Sequence, residues 1–344
     1  MTPPAPLRLD IDGGALVANW RTLAAMSGGA ACGAAVKADG YGLGAIEVVR
    51  RLAGAGCRDI FVATWPEALA LVDCGVAVSV LHGVRAEDMA FGDLPGVRPV
   101  LNTPVQVARR RDAGGGACDI MVDTGMNRLG VAIADIADGL LDGLAIDVLM
   151  SHLACADEDS PANARQRDAF AGLRGRTSAR RMSLANSAGI ALGADYAFDL
   201  TRPGLALYGG VPRDEFARVS RQVVVPQAQI LQRRSVSAGE GVGYNLAWTA
   251  PGDAEVAIVN LGYADGYWRG FSGRGVARAG AAELPVIGRV SMDLTALDVS
   301  TAPNLAEGNW ISFDFALREA AIVSGMSQYE LLTGLGPRFD RVWR

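Results

Sequence analysis

Residues 32–44 read CGAAVKADGYGLG, and the break inside that stretch decides the fold. Gly33 to Val36 is a small apolar run that stops at Lys37, and Asp39, Gly40, Tyr41, Gly42 and Gly44 follow at once. Continuous apolar runs bounded by turn residues are buried strands. Lys37 therefore stands at a strand's carboxyl end, where β/α barrels and doubly wound sheets place their chemistry. Lysine rarely sits unpaired in a packed core. Desolvation lowers its pKa and makes a nucleophilic amine, the kind that forms Schiff bases. The glycines beyond it let backbone approach a ligand closely.

Outward from Lys37 the same unit repeats. Apolar runs at 33–36, 59–64, 77–81, 99–101, 119–123, 146–151, 181–185 and 198–200 read as strands. Helical patterns fall between them at 45–55, 66–74, 87–91, 104–110, 131–141 and 164–173, with another opening at Ser187. Strands alternating with helices predict a parallel sheet, and eight such units favour closure into a TIM-like β/α barrel, here residues 8–219. The texture changes near residue 220. Segments 222–231, 255–261, 285–290 and 294–299 are β-rich and punctuated by Gly and Pro, with a last helix near 327–332. They predict a second, mostly β domain, residues 220–344.

Composition narrows the function. With 344 residues, half of them hydrophobic and a fifth charged, the chain is too long for one ordinary core and is globular. A formal net charge of −5 gives no electrostatic reason for nucleic acid or an anionic membrane as partner. No apolar run is long enough to span a bilayer, and the opening MTPPAPLRLDIDGG has no secretory pattern. Five scattered cysteines without C-x-x-C spacing predict reduced thiols and a cytoplasmic protein. Two distant histidines, His82 and His152, predict no zinc site.

Gly40, Gly42 and Ala45 satisfy a dinucleotide-type G-x-G-x-x-A, but the next strand ends Val62-Ala63-Thr64-Trp65 without the acidic residue that holds a ribose. The NAD reading is therefore set aside. Asn186–Ser187 reads equally as a helix cap, yet helix starts and backbone N–H groups after the last two strands are where such barrels bind phosphate. Ser187, Gly204 and Leu205 occupy those two places. Arg128 and Arg202 read as ion-pair partners or as ligand contacts, and His152 as a core histidine or a site residue. A strand-end lysine, a phosphate cradle and an arginine beside it suggest pyridoxal phosphate.

The motifs AVKADGYG, VDTGMNRLG, SHLACADE, LANSAG, TRPGLALYGG, GVGYN, LGYADG and IGRVSMD run in that order from residue 35 to 293. In that order they resemble the motifs of bacterial alanine racemases. The resemblance implies a pyridoxal-phosphate barrel followed by a β domain, and a head-to-tail homodimer with shared active sites that interconverts L- and D-alanine. Carried over by position, Lys37 is the Schiff-base lysine and one base, and Tyr244 is the opposite base, given by the partner subunit. Tyr41, Ser187, Gly204 and Leu205 are phosphate contacts, with Asn186 alongside. Arg202 faces the pyridine nitrogen and His152 hydrogen-bonds that arginine. Arg128 lies near the substrate carboxylate and Tyr244; Met292 and Asp293 meet that carboxylate from the partner chain, and Tyr263 and Asp157 line the entry corridor.

Two departures matter. Where some members carry a carbamylated lysine that steadies the motif arginine, this chain has Met121. Where some place a phosphate-binding tyrosine near the C-terminus, it has Pro337. The competing readings are a serine or broad-specificity racemase, a decarboxylase on the same barrel, and a non-enzymatic cofactor carrier.

Overall fold

The computed structural model describes residues 4–344. Two compact units emerge, one formed by the chain through Ala15 together with Gln222–Arg344, the other by Leu16–Arg221.

In the Leu16–Arg221 unit seven parallel strands lie side by side in chain order: Ala34–Ala35, Asp59–Val62, Ala77–Val80, Val97–Leu101, Ala117–Met121, Ala145–Met150 and Arg181–Ser183. Strands of such a sheet are covered on both faces and so read as unbroken apolar runs. Asp59–Val62 is buried at all four positions. The expected eighth strand is shorter than 198–200 suggests. Phe198 takes φ +50°, which breaks extension, and only Leu200–Thr201 pairs, in parallel with Ala31–Cys32. Around it, Gly33 N–H donates to Thr201 O (2.9 Å), Ala35 N–H to Pro203 O (2.8 Å), Asp199 N–H to Met182 O (3.0 Å) and Arg202 N–H to Ala185 O (2.8 Å). Phe61, Val100, Met121, Val148, Met150 and Leu200 fill the interior.

Toward the amino ends of the strands the interior is ionic. Asp119, fully buried, accepts from Ser79 Oγ (2.6 Å), Arg98 Nε (3.2 Å) and Val148 N–H (3.0 Å). Arg98 continues to Asp147 (3.1 Å), and Arg181 joins Asp147 to Asp59, both at 2.7 Å. Charges this deep persist because each is paired and hydrogen-bonded. The opposite, carboxyl ends are left to chemistry.

In the other unit eight strands run in the order Ala254–Val259, Thr295–Asp298, Ala282–Ile287, Val276–Ala279, Trp310–Phe313, Val224–Val236, Leu7–Ile11 and Asp340–Trp343. The thirteen-residue strand Val224–Val236 shifts register between Ile230 and Gln232, so it pairs with Leu7–Ile11 and Trp310–Phe313 early and with Ala254–Val259 late. Leu7–Ile11 corrects the range 8–219 expected for the barrel. Its Leu7, Leu9 and Ile11 are buried and alternate with half-exposed residues, the pattern of a strand with one covered face. The strand lies antiparallel to Val224–Val236, with Leu7 opposite Ala228. A two-stranded hairpin, Gly241–Val242 with Trp248–Thr249, carries Tyr244 on its turn.

Candidate active site

The Ala34–Ala35 strand gives way through Val36 to Lys37, and the chain then turns left-handed. Ala38, Asp39, Gly40 and Tyr41 take φ of 54°, 53°, 63° and 55°. Each non-glycine residue there costs about 1–2 kcal/mol, so neighbours must hold the turn. Gly40 N–H donates to Val36 O (2.8 Å), Gly44 N–H to Asp39 O (2.9 Å) and Ala45 N–H to Asp39 Oδ1 (2.8 Å). Glu67 reaches in from the helix Trp65–Leu69, one oxygen accepting Ala38 N–H (2.6 Å) and the other Ala63 N–H (2.7 Å) and Thr64 N–H (3.0 Å). Lys37 stays open to solvent along part of its side chain. Burial around its amine, then the Arg128 guanidinium, pulls its pKa below the ordinary lysine range, while Glu67 pulls the other way.

The turn leads into a cradle. Tyr41 stacks on Tyr208, ring centroids 4.6 Å apart, and Tyr208, fully buried, donates its hydroxyl to Ala35 O (2.9 Å). At Gly204 a side chain has no room, since a Cβ would lie 2.3 Å from Tyr41 Oη. Gly204 N–H and Ala206 N–H donate to Ser187 Oγ at 2.9 and 3.2 Å. Ser187 opens the helix Ser187–Ala191, capped by Asn186 Oδ1 accepting Gly189 N–H (2.8 Å), and Leu205 opens the short helix Leu205–Tyr208. Tyr41, Asn186, Ser187, Gly204 and Leu205 are thus brought together. Two helix starts, a serine and a phenol around a glycine that admits no side chain form a donor set suited to a phosphate. They fit the phosphate of pyridoxal phosphate.

Arg202 lies just before Gly204, buried, donating to Ser151 O (2.6 Å) and to Ser183 Oγ. Burial pulls its pKa down to about 10, with Asp119 acting against it, so it remains a cation at neutral pH. The hydrogen bond expected from His152 to Arg202 is absent: Arg202 bonds to the two serines instead, and His152 is held through its carbonyl by Gln166 Nε2 (3.0 Å). The His152 ring is driven to about 3 by burial, then by Arg202, Arg128 and Lys37, and so is neutral. Its role there is uncharged.

Arg128 sits exposed on the loop after the Ala117–Met121 strand. Asp123 Oδ1 shapes that loop by accepting the N–H groups of Gly125, Met126 and Asn127 at 2.8, 2.9 and 3.1 Å. Met121 is packed into the apolar interior and offers no charge. Arg128 makes no ion pair with any described residue. Sequence reasoning missed Gln166, buried on the helix Pro161–Ala171. It donates to Thr124 Oγ1 (3.3 Å) as well as His152 O and accepts Ala154 N–H (2.9 Å), tying the loops after two strands together. No local signal marks it. Asp157 is exposed on the second of those loops.

In the β unit Tyr244 is 67% exposed, on a turn where Asn245 and Leu246 take φ of 60° and 45°. Tyr263 N–H donates to Ser291 O (3.0 Å) and Ala264 N–H to Met292 O (3.0 Å), so the loops of Tyr263 and Met292 form one piece. Arg338 fastens them, donating to Asp265 (2.6 Å) and to Asp293 (2.7 Å). Asp293 is therefore occupied by a guanidinium. Met292 stays exposed, and Pro337, next to Arg338, offers no donor.

Comparison with known proteins points one way. The profile of the alanine racemase N-terminal domain matches residues 11–212 and that of the alanine racemase C-terminal domain residues 223–343. The chain is 43% identical to an alanine racemase of Acidiphilium cryptum over 349 residues, covering 97% of this chain and 98% of that one. It is also 43% identical to one from Methylobacterium nodulans over 351 residues, covering 97% and 95%. Among solved structures, an alanine racemase from Bartonella henselae with covalently bound pyridoxal phosphate superposes with a TM-score of 0.90 at 32% identity, covering 99% and 100%.

Proposed function

The chain belongs to the alanine racemase family and is a pyridoxal-phosphate-dependent alanine racemase; from that premise we propose how its residues divide the work. When bound, pyridoxal phosphate withdraws electrons from the substrate's α-carbon, so that the α-proton becomes acidic. Racemisation takes that proton from one face and returns one to the other. Two bases must face each other.

Lys37 is one base and the residue that binds the cofactor covalently. Its amine, weakened as an acid trap by burial and by Arg128, can be proton-free nearer neutral pH than an ordinary lysine. Tyr244 is the other base, offered to the partner subunit's site. Its exposure and the costly turn that displays it support a contact made only in an assembled homodimer. Tyr41, Ser187, Gly204 and Leu205 hold the phosphate, with Asn186 fixing the helix that presents Ser187. Arg202 would stand beside the ring nitrogen of the bound cofactor. A guanidinium gives up its proton reluctantly, so Arg202 would leave that nitrogen unprotonated and so discourage side reactions such as transamination. A neutral His152 adds no charge beside it.

Arg128, exposed and without an ion pair among the described residues, is free to take the substrate carboxylate, which the partner subunit's Met292 meets from the other side. Asp293 serves that contact through Arg338. Tyr263 and Asp157 line the approach. The hydrogen bonds on both flanks of Leu200–Thr201 support its reading as the eighth strand of a closed barrel. No described helix is long and apolar enough to cross a membrane, and five free cysteines, three of them buried, support a cytoplasmic setting. No relative named above favours a serine or broad-specificity racemase.

The observation that carries the assignment of roles is the single left-handed turn that links the Lys37 amine to the Tyr41–Gly204–Ser187 cradle. Lys37→Ala tests it. The variant is expected to lose both the visible absorbance of the loaded protein and alanine interconversion, and a coloured, fully active variant overturns the assignment.

A further inference from the structure

Glu67 sits in a place that its own helix does not explain. A glutamate three residues after a cap usually turns back onto the start of its helix. One Glu67 oxygen does that, accepting Thr64 N–H and Ala63 N–H. The other crosses to a different strand end and accepts Ala38 N–H at 2.6 Å. Ala38 is the residue after Lys37 and the first of the left-handed run, with φ +54°. The charged groups acting on the Lys37 amine are Arg128 and Glu67, and His152 on the next loop is neutral. Among the described residues, Glu67 is thus the carboxylate that acts on a lysine whose other charged influence is a guanidinium.

We propose that Glu67 is the positioning residue for Lys37: its carboxylate pins the turn that aims the lysine and brings a negative charge to the lysine's side of the site. The proposal rests on Lys37 being the cofactor-bound base. A base that must both take and return a proton needs its two protonation states close in energy. Arg128 and burial favour the neutral amine. Glu67 favours the cation and keeps the proton available for return. Glutamine at 67 keeps the shape but cannot supply the charge, and its NH₂ cannot accept from a backbone N–H.

The test follows the visible absorbance of the cofactor-loaded protein against pH in the parent, Glu67→Gln and Glu67→Asp. The midpoint is expected to fall by about one unit in Glu67→Gln, as when an opposite charge is removed, and to move back toward the parent in Glu67→Asp. Solvent deuterium should enter one alanine enantiomer about tenfold more slowly than in the parent, the scale of one mistuned general base, with KM little changed. Ala38→Gly separates backbone from charge, because glycine adopts φ +54° freely. In that background Glu67→Gln should fold as well as its parent and still show the shifted midpoint, so the comparison holds even where Glu67→Gln alone does not fold. A coloured Glu67→Gln protein with the parent's midpoint and equal slowing on both faces overturns the proposal. Absorbance that survives Lys37→Ala overturns the functional reading instead.

Discussion

The hydroxyl of Tyr41 rests against the α-carbon of Gly204, where a Cβ would lie 2.3 Å from Oη and 3.1 Å from Cζ. The Tyr41 ring is backed by Tyr208, so any side chain at 204 has to tilt the phenol out of the cradle. Gly204 has φ −129°, outside the left-handed region, so the penalty falls on the tyrosine rather than on the backbone at 204. Gly204→Ala is expected to weaken cofactor binding about tenfold, the worth of one hydrogen bond to a charged group, with the thermal midpoint nearly unchanged. Titration of the purified variant with pyridoxal phosphate measures this, and the parent's affinity in the variant would contradict the cradle.

His152 makes stability depend on acid. Its imidazole titrates at about 3 in the folded chain against an ordinary value of 6.5. Between those two values the unfolded chain binds a proton that the folded chain refuses. The contribution is therefore fully present above 6.5 and is lost as pH falls toward 3, with a slope of up to about 1.4 kcal/mol per pH unit. His152→Asn cannot take up that proton. Its thermal midpoint is expected to drop less between pH 7 and pH 5 than the parent's, in matched cofactor. Equal drops would mean that the ring is not desolvated as the geometry requires.

Much of this was legible because the chemistry sits at strand ends. Lys37 follows an apolar run and precedes glycines, and the helix Ala45–Ala55 is framed by Gly44 and a Gly56 at φ +115°, so both elements can be read locally. What resisted is non-local. Leu7–Ile11 is not among the expected strands, and nothing near it in the chain says that Leu7 pairs with Ala228 more than two hundred residues away. Val276–Ala279 and Trp310–Phe313 are short and interrupted by polar residues, and the Arg278–Asp314 ion pair (2.7 Å) helps join them. In the site, Gln166 and Glu67 look like solvated helix positions. Each matters because its side chain bonds to backbone beyond its own helix, a relation that composition and periodicity do not encode. Asp293 shows the converse, since motif position suggested a substrate contact and the folded loop gives its carboxylate to Arg338.

The proposed sharing of Tyr244 between subunits has an arithmetic consequence. Let Lys37→Ala and Tyr244→Phe be made in separate chains, each inactive or nearly so alone. If one site takes Lys37 from one chain and Tyr244 from the other, a mixed dimer holds one site with both groups missing and one with both intact. Random re-assortment of equal amounts makes about half the dimers mixed, so about a quarter of the parent activity should return. If both groups of a site came from the same chain, every site in the mixture would lack one base and nothing would return. Mixing after mild dissociation, with activity read against the unmixed variants, distinguishes the two. The same design checks concentration, because recovered activity should fade on dilution below the dimer's dissociation constant. Activity that survives as a monomer would leave Tyr244 without its role, and the exposed turn that carries it without a reason for its cost.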